Sequence, residues 1–424
     1  MRAECQFAKA GQGLFYNGLL VDHKGRTFSF VYDCGTSDAD VVLEHSISEY
    51  KEFAGKRLDL LAISHFHCDH ISHIPKLING LELGTVVIPF IKPELRLLIA
   101  AQYEGIENDD ERIRLYDNPE MYFMAHGAES VLVASSVENN NEDMDFFGEP
   151  NNDFPHKDSE TKESYNRTIV FGRNNTYSYD TNPFENSTSE YLGCFSIVAS
   201  SYQWEFRFKN LHYDKMQDDF WDDISKLLEL HNNSFDEILK NKTYTKQLRR
   251  IYENNFEGGR DKLNDTSLML LSRPLQRGLL VDNFSHKGCV SVDSAECNDE
   301  SHNRWLKYGQ ASTLLLGDLS VNCKIFDRYL QRLEKPLSQL MRVIQLPHHG
   351  AKMKHNPFYC EFCHDLRHRS HLPISLVASY GIRNNYGHPD LSCCTNCRPD
   401  DLFWQNTHIE LVNERKDFTY TIIY

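Results

Sequence analysis

Residues 64–70 read Ser-His-Phe-His-Cys-Asp-His, directly after the largely apolar run Leu58-Asp-Leu-Leu-Ala-Ile63. His65, His67, Asp69 and His70 therefore cluster at the end of a predicted buried strand. In an extended chain residues i and i+2 project to the same side, so His65 and His67 pair, while Asp69 and His70 follow as the backbone turns. Imidazole and carboxylate are the common ligands of zinc and similar ions, and this spacing can feed two adjacent metals. A polar loop with chance histidines is the competing reading, but few structural purposes need three imidazoles and a carboxylate so close together. The heptapeptide marks a candidate metallohydrolase.

Three later strand ends carry the same residue types. Asp318 follows Gly317 at the end of Ala311-Ser-Thr-Leu-Leu-Leu, where a carboxylate can bridge two metals. His348-His349-Gly350 follows Val343-Ile-Gln-Leu-Pro347, and Tyr386-Gly-His388-Pro389 follows Ile374-Ser-Leu-Val-Ala-Ser379. Each is ambiguous alone, and Leu-Leu-Gly-Asp by itself reads better as a plain strand-end turn. Four such strand ends in one chain point to a shared site.

The elements that must position these ends alternate between strands and helices, which predicts an α/β layered architecture. Residues 13–34 read as a β-meander, punctuated by a His23-Lys-Gly-Arg turn. An amphipathic segment over 39–53 precedes the strand that ends in the histidine cluster. Ile74–Leu77, a strand over 85–89 and a helical run over 95–103 follow. Residues 136–188 are polar, Asn-rich and weakly periodic, which predicts a surface insertion. Ser196–Ala199 and Tyr202–Phe208 read as strands, the second with clean period-2 alternation. Two helical stripes come next: Phe220, Trp221, Ile224, Leu227 and Leu228, then Tyr244, Leu248, Ile251 and Tyr252. Both read as core packing, with a partner surface as the alternative. Ser234 and Glu237 form a capping-box pattern between them. A further helix is predicted around 325–333. The resulting division is residues 1–104 as one half of the main domain, 105–262 as an insertion, and 263–424 as the second half.

With these motifs in place, the order of short signatures resembles the metallo-β-lactamase superfamily. They are Gly11-Gln-Gly13, Asp33-Cys-Gly35, His65-Phe-His67-Cys-Asp69-His70, Asp265-Thr-Ser267-Leu, Leu316-Gly317-Asp318, Pro347-His348-His349-Gly350 and Asn385-Tyr-Gly387-His388-Pro389. Within that superfamily the chain most resembles the ComEC-type branch. The resemblance covers roughly 5–100 and 262–424. It implies an αββα sandwich with the metals at one edge of the two sheets. It also implies that His65 and His67 hold one divalent ion, zinc or manganese, and that Asp69 and His70 hold another, completed by one of the pair His348 and His349, with His349 favoured, and Asp318 bridging. Asp69, His348 and His388 become the catalytic candidates, the last two for orienting or protonating a leaving group. The chain departs from the branch pattern at Leu14, where Asp is usual, at Ser72-His73, where Gly-Gly is usual, and at Ala351, where Ser is usual.

Cys360-Glu-Phe-Cys363 and Cys394-Thr-Asn-Cys397 form two Cys-x-x-Cys pairs, the expected ligand set of one tetrahedral structural zinc. Such a knuckle, formed by 360–363 and 394–397, would staple the loops that carry His348, His349 and His388. A disulfide pair or spare buried thiols are the alternatives.

The formal net charge of −16 argues against a whole-protein electrostatic grip on nucleic acid, while leaving a local groove or phosphate-binding metals open. No apolar run reaches membrane-spanning length, so a soluble cytoplasmic protein without membrane contact is expected. Lys246, Arg249 and Arg250 read as a solvated helix face, and Arg367, His368 and Arg369 as a local basic patch. The leading expectation is a di-metal phosphodiesterase or nuclease acting on nucleic acid. Alternatives are a hydrolase of a small phosphoester, ester or lactam-type substrate, and a metal-binding subunit of a multiprotein complex, such as a defence complex, whose partner docks on 105–262.

Overall fold

Apolar, β-prone residues at the N-terminus build a meander before any helix forms. β1 (Arg2–Phe7), β2 (Gly13–Val21) and β3 (Thr27–Thr36) pair antiparallel, and every residue of β2 is buried. Helix α1 (Asp40–Ala54) then crosses to β4 (Arg57–Ala62), which lies parallel to β3 and runs into the histidine cluster. Short helices α2 (Cys68–Ile71) and α3 (Ile74–Ile78) lead to β5 (Glu82–Pro89). Helices α4 (Pro93–Ala101), α5 (Asp110–Asp117) and α6 (Pro119–Ala125) lead to β6 (Ser130–Ala134), parallel to β5. This computed structural model describes residues 1–38, 40–134, 167–171, 190–192, 195–210, 218–256, 267–275, 280–282, 312–319, 342–351, 374–385, 387–389 and 407–424.

The second part of the chain supplies β7 (Arg167–Phe171), β8 (Glu190–Leu192), β9 (Phe195–Ala199) and β10 (Trp204–Asn210). Helices α7 (Asp218–Leu230), α8 (Phe235–Lys240) and α9 (Lys242–Phe256) follow. The remaining strands are β11 (Leu268–Pro274), β12 (Leu280–Asp282), β13 (Thr313–Leu315), β14 (Val343–Gln345), β15 (Ile374–Ser379), β16 (Thr407–Val412) and β17 (Phe418–Ile423).

Two sheets result, in a mixed α/β architecture. One has the order β12-β17-β1-β2-β3-β4-β5-β6-β8, the other β16-β15-β14-β13-β11-β10-β9-β7. Strands from within 105–262 are hydrogen-bonded members of both sheets. Their facing sides share one apolar core, with Tyr16, Phe30, Leu60 and Val87 from the first sheet against Phe206, Leu270, Leu315 and Val377 from the second. A second core lies between the other face of the first sheet and the helices, where Val31, Leu61 and Val86 meet Leu43, Leu98, Ile224, Leu239 and Leu248. The helical stripes at Ile224, Leu227, Leu228 and Leu248 are thus packing surfaces. Among the described residues no helix is long and apolar enough to cross a membrane.

Several local expectations need correction. The strand expected from Tyr202 starts at Trp204. Ser200–Tyr202 is a 3-10 turn closed by Gln203, which is left-handed (φ 48°) and gives both its backbone N–H and its side-chain amide to the Ser200 carbonyl. The strand expected over 311–318 narrows to Thr313–Leu315, because Leu316 and Gly317 turn away from their neighbour. Between the two striped helices stands a third helix, α8, whose N-cap Ser234 accepts from the Glu237 N–H at 3.2 Å. Arg249 is not part of a solvated face: its guanidinium donates to the Ala101 and Tyr103 carbonyls at 2.5 and 2.6 Å, capping the end of α4. Residues 325–333, Arg367–Arg369 and the cysteines Cys360, Cys363, Cys394 and Cys397 lie outside the described residues.

Candidate metal centre

The site forms where strands of both sheets end on one edge. β4 delivers Ser64 and His65, and the Ser64 carbonyl accepts from the Leu268 N–H at 2.7 Å, tying this end to the start of β11 in the other sheet. Tyr32 reaches across as well, donating to the Leu268 carbonyl at 2.6 Å. Helix α2 then packs directly on β3. A Cβ at Gly35 would lie 2.5 Å from the His70 carbonyl carbon and the Ile71 nitrogen, so only glycine permits this approach.

Two groups of side chains converge there. His65, His67 and Asp318 form one; Asp69, His70, Asp318 and His349 form the other, with the candidate ligand atoms of each group within 4.8 Å of one another. Asp318 belongs to both. Its Oδ1 lies 3.0 Å from His70 Nε2 and 3.8 Å from His349 Nε2, and its Oδ2 lies 3.8 Å from His65 Nε2 and 3.4 Å from His348 Nδ1. Asp69 Oδ2 lies 3.0 Å from His349 Nε2. His388 stands at the margin, its ring centroid 5.5 Å from that of His348.

Non-ligand groups decide which ring nitrogen faces the centre. Asp33, fully buried and left-handed at φ 60°, accepts from the Ser64 N–H and hydroxyl, each at 2.6 Å, and from His70 Nδ1 at 2.7 Å. With its proton given to Asp33, the Ser64 oxygen accepts from His65 Nδ1 at 2.8 Å. His349 Nδ1 donates to the Ser379 carbonyl at 2.7 Å. In all three residues Nδ1 is anchored and Nε2 is turned inward. Outer partners of this kind fix the tautomer and ring orientation of metal-ligating histidines.

The donor set fits a divalent metal on a further observation. Nε2 of His65 and Nε2 of His67 are buried without a hydrogen-bond partner. A buried polar atom left so costs about 1–3 kcal/mol unless a ligand takes it. Electrostatics agree at His65 and His67. Burial pushes His65 well below the ordinary histidine value, with His70 adding to the effect, and burial also lowers His67. Neutral imidazoles are the ligating form. Burial opposes ionisation of Asp318, yet His70, His349 and His348 outweigh it and hold the carboxyl well below its usual range. Asp69 is likewise lowered, its burial outweighed by His349 and His70. His70 rises well above the ordinary value because Asp318 and Asp33 overcome its burial. His388 is pushed down to about 4, first by burial and then by His348 and His349.

Two backbone features complete the centre. His348 and His349 are both left-handed, at φ 51° and 54°, a conformation costing non-glycine residues of order 1–3 kcal/mol and concentrated at functional sites. At Gly317, φ is 56° and a Cβ would lie 2.8 Å from Ser64 Cβ. The structure thus brings together His65, His67, Asp69, His70, Asp318, His348 and His349, with His388 beside them. Sequence reasoning gave no role to Asp33, Ser64, Gln345 or Ser379. For Asp33 a signal existed, in the Asp-Cys-Gly motif at a strand end; the Ser379 contact uses a backbone carbonyl and has none.

The family model described as metallo-beta-lactamase superfamily matches residues 11–142. A comparison with curated proteins finds no match. Among solved structures the chain is similar to one described as the crystal structure of a long form RNase Z from yeast, at 10% sequence identity and a TM-score of 0.32. The alignment covers 100% of this chain and 41% of that one, so the chain spans well under half of its length. Residues 11–142 thus carry a metallo-beta-lactamase superfamily domain match, and the two-sheet α/β architecture is consistent with that fold.

Proposed function

We propose that the protein is a di-metal hydrolase of the ComEC-type branch that cleaves phosphodiesters, with nucleic acid as its substrate. One observation carries this reading: two clusters of ligand atoms share a single buried carboxylate, Asp318. His65 and His67 would hold one ion, Asp69, His70 and His349 the other, and Asp318 both. Two such ions supply Lewis acidity, an activated water and charge neutralisation for phosphoryl transfer to water. Zinc and manganese both suit these N/O donors.

The chain's own residues do the rest. Asp33 and Ser64 hold the His65 and His70 rings in place. The Ser379 carbonyl, accepting from His349 Nδ1, turns His349 Nε2 toward the side where Asp69 stands ionised. His348 is 28% exposed and lies on the solvent side of Asp318, where it can hand a proton to a departing oxygen. His388 is neutral near pH 7, which suits it to orient the substrate or accept a hydrogen bond rather than to donate a proton. Four thiolates at Cys360, Cys363, Cys394 and Cys397 remain our proposal for a structural zinc, and 105–262 for a partner-docking segment.

A second reading, a small phosphoester as substrate, is favoured by the formal net charge of −16, which repels a long polyanion more than a small ester. Single-stranded DNA, duplex DNA, RNA and bis-p-nitrophenyl phosphate, offered to zinc- or manganese-loaded protein, separate the two. Cleavage of a polynucleotide, lost in His67→Ala and Asp69→Ala, supports the nuclease. Turnover of the small ester alone supports the second reading. Unchanged cutting by the double variant would refute the site.

A further inference from the structure

Among the described residues, the turn that presents Asp318 lies beyond the last ladder pair of its strand. The parallel ladder between β13 and β14 ends at Leu314↔Ile344, and beyond it Leu316 and Gly317 bend away to place Asp318 at the centre. The Gln345 side chain takes over where the ladder stops. Its Oε1 accepts from the Leu316 N–H and the Gly317 N–H, both at 3.0 Å, and its Nε2 donates to the Gly317 carbonyl, also at 3.0 Å. A primary amide here acts as a surrogate peptide group, pairing with the Leu316 and Gly317 N–H groups and the Gly317 carbonyl where the β13–β14 ladder has ended.

The same side chain reaches a second ligand-bearing turn. Gln345 is the last residue of β14, and two residues later the chain enters Pro347-His348-His349. The Gly317 carbonyl that accepts from Gln345 also accepts from the His348 N–H at 3.3 Å. The Asp318 turn and the His348–His349 turn are therefore tied at one carbonyl. On its other sides the Asp318 turn is fixed by Ser267, whose Oγ accepts from the Asp318 N–H at 3.2 Å, and by contact of Gly317 with Ser64. Gln345 is 2% exposed, so it takes no part in solvation.

The geometry points to Gln345 as a positioning residue for the shared ligand: it sets the Asp318 carboxylate and the His348–His349 pair relative to one another. This inference rests on the di-metal reading of the site. If it holds, loss of the amide weakens metal binding even in a chain that stays folded, because Asp318 serves both groups. A buried amide with a merely structural role would lower stability and leave metal affinity untouched.

The test uses the full chain and two readouts. Hydrogen exchange of the Leu316 and Gly317 amides, in chelator-treated protein, reports on the clamp with no metal involved. Calorimetric titration with zinc, and separately with manganese, reports on its consequence. Gln345→Met is expected to speed exchange at both amides at least about tenfold over the neighbouring Leu314, as an unpaired buried N–H opens. It is expected to weaken metal binding about 10- to 100-fold, the usual cost of losing an outer-shell partner, and to lower kcat with KM nearly unchanged. Should that variant fail to fold, Gln345→Glu keeps the acceptor and replaces the donor with a carboxylate oxygen that repels the Gly317 carbonyl. Exchange at the two amides should then stay slow while metal affinity falls about tenfold. Faster exchange with wild-type metal affinity would overturn the positioning role, as would a Gln345→Glu chain that matches wild type throughout. Unchanged exchange in Gln345→Met would show that the clamp does not exist. A wild-type chain that takes up neither ion would instead sink the di-metal reading, and the exchange arm distinguishes that outcome.

Discussion

Asp33 accepts a hydrogen bond from His70 Nδ1 at 2.7 Å while His70 Nε2 faces Asp318 at 3.0 Å. One imidazole thus spans two buried carboxylates, and Asp33 dictates which nitrogen looks into the centre. Because Asp33 also binds both the N–H and the hydroxyl of Ser64, it orients His65 at one remove. Asp33→Asn keeps the size but blunts the acceptor and confuses the tautomer of His70. It is expected to reduce metal affinity or turnover about 10- to 100-fold, with far-ultraviolet circular dichroism unchanged. Wild-type affinity in that variant would mean that His70 is held by packing alone.

Metal removal should register in stability as well as in activity. Ligands that bind only the folded chain stabilise it by mass action, by about 2.7 kcal/mol at a free concentration of 100 Kd. Thermal melts with and without chelator should therefore separate, and the gap should shrink in Asp318→Ala. Coincident melts for wild type would deny any tight ion at this edge.

Gly35 offers a steric test. Its missing Cβ makes room for α2, with the nearest backbone atoms 2.5 Å from where a Cβ would sit. Gly35→Ala must push Cys68–Ile71 away from β3, at a cost of about 1–3 kcal/mol in stability. Activity should fall by more than the lost stability accounts for, because Asp69 and His70 move with that segment. Urea denaturation and initial rates on the same preparation decide it.

A pH effect is expected at a buried ion pair outside the candidate metal centre. Glu205, 1% exposed, pairs with Arg273 at 2.8 Å and with Arg207 at 2.8 Å, and accepts from the Ser196 hydroxyl at 2.6 Å. Burial alone would raise its carboxyl, but the two guanidinium groups overcome it and lower the value from 4.5. A carboxylate with a lowered folded value contributes stability that is fully present above its unfolded value and lost as pH falls through the folded one. Glu205→Gln should therefore cost about 3 kcal/mol near neutral pH, the scale of removing one partner from a buried ion pair. The difference between variant and wild type should shrink below about pH 4.5. Chelated protein, followed by urea midpoints across pH, isolates this effect; a pH-independent difference would contradict it.

Much of the site was legible because its ligands stand at strand ends, where apolar runs stop abruptly. The run before Ser64, the Gly317-Asp318 turn and the Pro347-His348-His349 turn all show this, although 248 positions separate His70 from Asp318. Pairing across the sheets was less visible. Gln345 looks like an ordinary polar residue in a strand until Leu316 and Gly317 are seen to lack a ladder. Ser379 acts through a carbonyl, which no side-chain pattern encodes. At Tyr202 the alternation was real, but a left-handed Gln203 interrupts it, and only the contact from the Leu275 N–H shows why. Arg249 looked solvated because helix periodicity places it near the boundary; the carbonyls it caps come from a helix far earlier in the chain.

The central claim is that Asp318 is shared by two metal ions. Anomalous scattering from crystals of the zinc- or manganese-loaded protein tests it most directly. Two peaks are expected beside Asp318, about 3.5–4 Å apart, one next to His65 and His67 and the other next to Asp69, His70 and His349. A single peak, or none within bonding distance of Asp318, would contradict it.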